Sequence, residues 1–228
     1  LFLSACETPV PPCEAIAEIE PARQEAVRAA LQAVAGEGAC DAHLKALGGG
    51  LSGNAVIRVD HGEQRWVMKL FTEGGPHVAA SVAACRMASA VGVAPAVRYA
   101  SPTHDVVIMD YVSGEPLRGP MTSDLVALTA LGRSLAALHG ATGDFPPYRD
   151  PFADIRMHVG RARTANGALP TALRTAMAAL QRIEGAVGQF PYVPVHNDLN
   201  PRNIMCAEDG HFVLLDWGDA SMGDPFYD

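Results

Sequence analysis

The residues best suited to do chemistry lie in one segment near the end of the 228-residue chain. His196, Asp198 and Asn203 form the pattern H-x-D-x-x-x-x-N, and Asp216 follows thirteen residues after Asn203, behind a short predicted hairpin. A loop aspartate can accept a hydrogen bond from a hydroxyl group, and asparagine and aspartate oxygens are hard ligands that suit Mg²⁺. Each of these residues alone is typical of an ordinary turn. Together, at this spacing, they favour a phosphoryl-transfer site, which must position a nucleophile and neutralise phosphate charge.

Hydrophobic periodicity predicts the elements that carry these residues. A tail over 1–19 precedes a β-rich lobe over 20–112, and an α-rich lobe over 113–228 follows a hinge near 111–116. The predicted fold class is therefore α+β. The patterns predict helices over 21–35, 76–91, 123–139, 152–163 and 170–187, strands over 44–47, 55–59, 64–71, 97–99, 105–110, 204–206 and 212–215, and a loop over 195–203.

One feature of the β-rich lobe suits a nucleotide. A glycine-rich turn lies between the first two predicted strands, and its backbone N–H groups can approach phosphates; it contains Gly49, Gly50, Ser52 and Gly53. The next strand carries Lys69. Period-two alternation predicts that Lys69 faces one side of this strand while Trp66, Met68 and Leu70 face the other.

Composition excludes several classes of protein. Hydrophobic residues make up 49% of the chain and charged residues 18%, which permits a packed core and argues against disorder. The net charge of −8 argues against a nucleic-acid-binding module, and the apolar runs are too short for a transmembrane span. The five cysteines include no C-x-x-C pair, which favours reduced thiols in a cytoplasmic protein. The alternative is a lipoprotein modified at Cys6, at the end of the segment Leu3-Ser4-Ala5-Cys6.

From about Leu44 onward the chain resembles the aminoglycoside phosphotransferase and choline/ethanolamine kinase superfamily, a group of small-molecule kinases. The resemblance rests on His196-Asn197-Asp198, on Asp216-Trp217-Gly218 and on the following block through Gly223-Asp224-Pro225 to Asp228. It implies a bilobal, protein-kinase-like fold in which the first lobe binds ATP. It also implies further helices after Asp228, which would complete the C-terminal lobe and supply much of the substrate pocket.

The resemblance also implies roles for individual residues. Asp198 is then the catalytic base, and Asn203 and Asp216 bind Mg²⁺. Lys69 and the glycine-rich turn contact the phosphates of ATP. Adenine contacts come from backbone groups near the hinge, at Met109, Asp110 and Val112. His196 is a further candidate in the catalytic loop, and its expected role, like that of Asp224 and Asp228, is mainly structural.

The implied reaction transfers the γ-phosphoryl group of ATP to a hydroxyl group of a small molecule. The resemblance favours a cationic acceptor, either an amino alcohol such as choline or ethanolamine or an aminoglycoside. The charge of −8 gives this weak support, because an acidic protein attracts cations more readily than anions. Four carboxylates also lie within the last thirteen residues, at Asp216, Asp219, Asp224 and Asp228.

One position departs from the pattern of the superfamily. The helix after the lysine strand normally supplies a glutamate that pairs with the lysine, and counting back from Gly92 places Ser81 there. Residues 76–91 contain no carboxylate at all. This leaves a rival hypothesis open, namely a nucleotide-binding protein of weak catalytic power. A protein kinase is a second rival, but it requires an A-P-E sequence that residues 216–228 do not contain.

Overall fold

The computed structural model describes residues 19–47, 54–148, 150–167, 170–186 and 191–228. The glycine-rich turn and nearly all of the predicted tail lie outside these residues. At the boundary of that tail, Ile19 is buried in the core beside the first helix.

A five-stranded antiparallel sheet dominates the first half of the described chain. Its spatial order is β1-β2-β3-β5-β4, and the strands are β1 (His43–Leu47), β2 (Ala55–His61), β3 (Gln64–Leu70), β4 (Val97–Ala100) and β5 (Val106–Asp110). The β2–β3 hairpin turns at Gly62, whose φ of 59° falls in the left-handed region that glycine adopts without strain. The register places Lys69 of β3 between Val56 on β2 and Val107 on β5, in the middle of the sheet.

Helix α1 (Pro21–Ala35) covers one face of this sheet. It begins with proline at its first turn and ends at Gly36, whose φ is 60°, as the sequence predicts. Its buried side chains pack against those of the central strands, and the shared cluster includes Val27, Leu31, Ile57, Trp66, Met68, Leu70 and Ile108. The predicted alternation in β3 is confirmed, because Trp66, Met68 and Leu70 all point into this cluster.

Helix α2 (Pro76–Ala90) lies against the other face. Its Val78 and Val82 pack against Val107 of β5. Further along the same helix, Cys85 and its neighbours join a second core cluster shared with the helical half of the chain. Helix α2 therefore fixes the sheet relative to the rest of the molecule.

The second half is helical with short strands. The helices are α3 (Leu125–His139), α4 (Pro151–Asn166) and α5 (Thr171–Ala186), and the strands are β6 (Gly114–Pro116), β7 (Val193–Val195), β8 (Ile204–Ala207), β9 (Phe212–Leu214) and β10 (Ser221–Gly223). Strands β6, β8 and β9 form one sheet and β7 pairs with β10. The mixed α+β fold predicted from the sequence is confirmed.

Three short segments differ from the sequence prediction. The predicted hinge contains strand β6, Val195 ends strand β7 instead of beginning a loop, and β10 was not predicted. Each of these strands has only three residues, too few for a period-two pattern, and each is defined by a distant partner. Within the described part of the chain, no helix is both long and apolar enough to cross a bilayer.

Candidate active site

The loop between β7 and β8 holds the carboxylate of Asp198 in place. Asn200 Nδ2 donates to Asp198 Oδ1 over 3.1 Å, and Asn203 Nδ2 donates to Asp198 Oδ2 over 2.8 Å. A second bond from Asn203 Nδ2, 2.9 Å long, reaches the Asp198 carbonyl oxygen. Each carboxylate oxygen has two lone pairs, so one on each remains after these bonds. The carboxylate is thus fixed in direction and can still accept a proton from a hydroxyl group.

His196 supports this loop from inside the protein. Its side chain is buried, with Nε2 2.9 Å from the Leu215 carbonyl oxygen and Nδ1 3.3 Å from the Asp198 N–H. Because a carbonyl only accepts and an N–H only donates, these contacts fit a neutral imidazole protonated on Nε2. Burial lowers the pKa of His196 from its ordinary value, which also favours the neutral form. The ring meets Trp217 edge-on, with centroids 4.7 Å apart. His196 therefore positions the loop, in keeping with the mainly structural role expected for it.

Asp216 lies two residues after the end of strand β9. Its backbone is left-handed, with φ 66° and ψ 73°, a conformation that aspartate tolerates better than most residues. The next side chain, Trp217, is buried and donates from Nε1 to the Leu214 carbonyl. The Asp216 carboxylate is exposed, so this sharp turn separates a buried anchor from a reactive group.

A backbone bond brings the two predicted metal ligands to the same edge. Leu215 N donates to the Asn203 carbonyl oxygen over 2.7 Å, so the residue before Asp216 is tied directly to Asn203. Among the described residues, no group of three or more His, Cys, Asp or Glu side chains is arranged to hold a metal ion. Mg²⁺ at a phosphate site needs only one or two protein oxygen ligands, because phosphates and water complete its octahedron. The donor chemistry of Asn203 and Asp216 fits this requirement.

Lys69 reaches across from the five-stranded sheet to this edge. Its Nζ lies 3.2 Å from Asp216 Oδ1 and forms an ion pair with it. Lys69 and Asp216 line one cleft together with Ser81 and Cys85 of helix α2. Ser81, at the position where the resemblance implies a glutamate, therefore lines the same cleft as Lys69. The carboxylate partner of Lys69 is Asp216 instead.

The rest of this cleft is mainly apolar. Phe71, Val82, Val97, Val107 and Met109 line it. Burial raises the pKa of the Cys85 thiol to about 12, so this group stays protonated and serves as another apolar wall. Apolar walls with a few polar groups are typical of small-molecule clefts.

At the end of strand β5, several polar groups are already hydrogen-bonded within the protein. Arg98 binds both carboxylate oxygens of Asp110 at 2.7 Å, and the Asp110 N–H donates to the Ala96 carbonyl over 2.9 Å. Tyr111 N donates to the Arg65 carbonyl over 3.1 Å. Met109 lines the cleft, whereas contacts from Asp110 and Val112 to a nucleotide remain predictions. The glycine-rich turn, with Gly49, Gly50, Ser52 and Gly53, lies outside the described residues.

Sequence reasoning missed the contribution of Asn200. Besides binding Asp198 through Nδ2, it accepts the Arg202 N–H on Oδ1 over 3.0 Å, which makes a local turn. An asparagine two residues from each of its partners is a known turn signal, so this role was within reach of the sequence.

The sequence model of the phosphotransferase enzyme family matches residues 43–228. The chain belongs to this family. The matched range includes Lys69, the Asp198 loop and Asp216, so the whole site described above lies inside the phosphotransferase domain. No curated protein sequence matches the chain.

Solved structures of phosphotransferases share the fold. A choline/ethanolamine kinase family protein from Mesorhizobium loti is 23% identical, with a TM-score of 0.70 over 90% of this chain and 67% of that one. A choline kinase from Streptococcus pneumoniae is 19% identical, with a TM-score of 0.65 over 81% and 66%. A thermostable mutant of an aminoglycoside phosphotransferase, in complex with ADP and hygromycin B, is 19% identical, with a TM-score of 0.62 over 81% and 69%. The chain therefore spans about two thirds of the length of these structures.

Proposed function

We propose that the protein transfers the γ-phosphoryl group of ATP to a hydroxyl group of a small molecule. The observation that carries this proposal is the 3.2 Å contact between Lys69 and Asp216. This contact connects Lys69, in the middle of the sheet, to the edge that carries Asp216 and Asn203. Asn203 in turn binds the carboxylate of Asp198. A phosphoryl-transfer site needs these three functions together: a cation for the phosphates, oxygen ligands for a metal, and a proton acceptor for the nucleophile.

The residues supply the following chemistry. Asp198 accepts the proton of the acceptor hydroxyl as the hydroxyl oxygen forms its bond to the γ-phosphorus. The bond from this phosphorus to the β–γ bridging oxygen breaks, and ADP leaves with that oxygen. Lys69 neutralises charge on the phosphate oxygens during the transfer. Asn203 and Asp216 would hold Mg²⁺, which offsets further phosphate charge when it is bound.

A cationic acceptor is part of the proposal. The protein carries a net charge of −8, and the carboxylates of Asp216 and Asp219 are exposed near the proposed reaction centre. Such a field raises the local concentration of cations over that of neutral or anionic molecules. The similar structures support the same choice, since they include choline, choline/ethanolamine and aminoglycoside kinases.

An acceptor panel tests this proposal. ADP release is measured with the complete protein, ATP and Mg²⁺, with choline, ethanolamine, thiamine, kanamycin, homoserine or ribose as acceptor and with no acceptor as the background. We expect stimulation by at least one cationic alcohol and none by ribose. A preference for ribose would contradict the cationic acceptor while leaving the kinase assignment intact.

The absence of a carboxylate on helix α2 favours a second candidate, a nucleotide-binding protein with weak or no catalysis. Ser81 occupies the cleft wall beside Lys69 and brings no charge to orient it. This candidate predicts saturable, Mg²⁺-dependent ATP binding with no acceptor-stimulated ADP release from the complete protein. The panel above and a binding titration therefore separate the two functions.

A further inference from the structure

A buried carboxylate holds the start of the catalytic loop. The side chain of Asp228 is fully buried, and its oxygens accept the backbone N–H groups of His196 and Asn197, each over 2.9 Å. Asp198, the proposed base, is the next residue along the loop. The two bonds therefore fix the backbone immediately before the group that must meet the substrate.

Asn197 is the residue that most needs this support. Its φ of 67° places it in the left-handed region, which non-glycine residues seldom occupy. Its side-chain amide donates to the Asp219 carbonyl and to Ser221 Oγ, both over 2.9 Å. The kink at Asn197 sets the direction in which the chain continues into Asp198, and these contacts hold the kink in place.

Asp228 has a third partner on a different element. His139 is the last residue of helix α3, and its Nε2 lies 3.1 Å from Asp228 Oδ2. Helix α3 is itself fixed against the site, because Ser134 Oγ donates to the Phe212 carbonyl over 2.9 Å and Leu138 is buried in the core. His139 therefore offers Asp228 a hydrogen-bond donor on a fixed helix. The other two donors, the N–H groups of His196 and Asn197, belong to the loop whose position depends on Asp228.

We propose that His139 is a positioning residue that acts through Asp228 to hold the Asp198 loop in its reactive geometry. A carboxylate removed from water depends on each of its hydrogen-bond donors, because burying a charge without partners is costly. Without His139, Asp228 loses its link to helix α3, and its hold on the N–H groups of His196 and Asn197 loosens. Small displacements of this kind lower turnover strongly, because catalysis depends on the alignment of the reacting atoms. The kinetic part of this inference rests on the proposed function.

The test compares His139→Leu, which removes the donor, with His139→Gln, whose amide can donate from nearly the same place. His158→Leu is the matched control, since His158 is an exposed histidine of helix α4. Three quantities are measured on the complete protein: kcat with the best acceptor, Kd for ATP, and amide hydrogen exchange across the described segments.

We expect His139→Leu to lower kcat about 10- to 100-fold with little change in Kd. Amide exchange should accelerate at His196 and Asn197 but not in strands β2 and β3. His139→Gln should keep most of the wild-type kcat and of the slow exchange at His196 and Asn197. His158→Leu should match the wild type in both. Wild-type exchange at His196 and Asn197 in His139→Leu, or faster exchange spread equally over β2 and β3, would overturn the proposal. If the wild type shows no turnover, the proposed function fails, and the exchange data still decide the role of His139.

Discussion

Helix α2 carries no carboxylate for Lys69, and the strength of the ion pair between Lys69 and Asp216 predicts what this costs. Two unit charges 3.2 Å apart interact by about 1.3 kcal/mol in water and by about 5 kcal/mol at an effective dielectric constant of 20. The Asp216 side chain is 59% exposed, so solvent screens the pair and about 1 kcal/mol or less is the appropriate value. Breaking this pair should therefore change the free energy of unfolding only slightly.

Binding of ATP should respond much more strongly than stability. A charge-assisted hydrogen bond from Lys69 to phosphate contributes about 1.5–3 kcal/mol, which corresponds to a change of about 10- to 150-fold in Kd. We expect Lys69→Ala to weaken ATP binding by this factor while Tm stays close to that of the wild type. Arg133→Ala is the control, because Arg133 is an exposed basic residue of helix α3.

The Ser81→Glu variant tests whether a carboxylate at residue 81 can pair with Lys69. A carboxylate at residue 81 would compete with Asp216 for Lys69, and a competing interaction of about 1 kcal/mol changes the populations by about five-fold at most. We therefore expect kcat/KM for ATP to rise by up to about five-fold or to stay unchanged. Ser81→Gln has nearly the same size without the charge and should show no gain. Calorimetric Kd values and ADP-release kinetics provide the measurements. A large loss of activity in Ser81→Glu with an unchanged Tm would refute the reasoning, because another group would then already occupy this place.

Two further predictions concern Asp216, a proposed metal ligand, and the buried His196. Asp216→Asn should abolish most of the increase in ATP affinity that Mg²⁺ produces, which titrations with and without Mg²⁺ would show; an unchanged Mg²⁺ effect would contradict the ligand assignment. Burial lowers the pKa of His196 in the folded protein below its ordinary value of 6.5. Near this pH, His196 is therefore protonated in a larger fraction of unfolded chains than of folded ones. Because the unfolded state binds more protons in this range, the free energy of unfolding should fall as the pH drops below about 6.5. Urea unfolding between about pH 7.5 and 5.5 should show a smaller slope in His196→Gln, and equal slopes in both proteins would contradict this prediction.

The sequence predicted the larger elements because each carries its own local signal. Helix α1 has proline at its start and glycine at its end, and strand β3 alternates cleanly between buried and cleft-facing residues. The H-x-D-x-x-x-x-N pattern and the following hairpin also predicted that Asn203 and Asp216 would share an edge. Local spacing was sufficient there, since only one short hairpin separates the two residues.

Contacts between distant residues could not be predicted from local patterns. Lys69 and Asp216 are 147 residues apart, and His139 and Asp228 are 89 apart. Nothing near Lys69 indicates that its carboxylate partner would come from the other half of the chain. The same holds for Arg98, which binds both carboxylate oxygens of Asp110. Such pairings depend on how the sheet and the helices pack, and packing is set by the whole core.

The Asp198→Ala variant tests the central claim most directly. Asp198 is held by Asn200 and Asn203. In the proposed mechanism it contacts only the acceptor hydroxyl, so it should contribute to turnover rather than to nucleotide affinity. We predict that Asp198→Ala lowers acceptor-stimulated ADP release about 10²- to 10⁴-fold, while Kd for ATP with Mg²⁺ stays within about two-fold of the wild type. Wild-type kcat in Asp198→Ala would contradict the assignment of Asp198 as the base and, with it, the proposed mechanism of phosphoryl transfer.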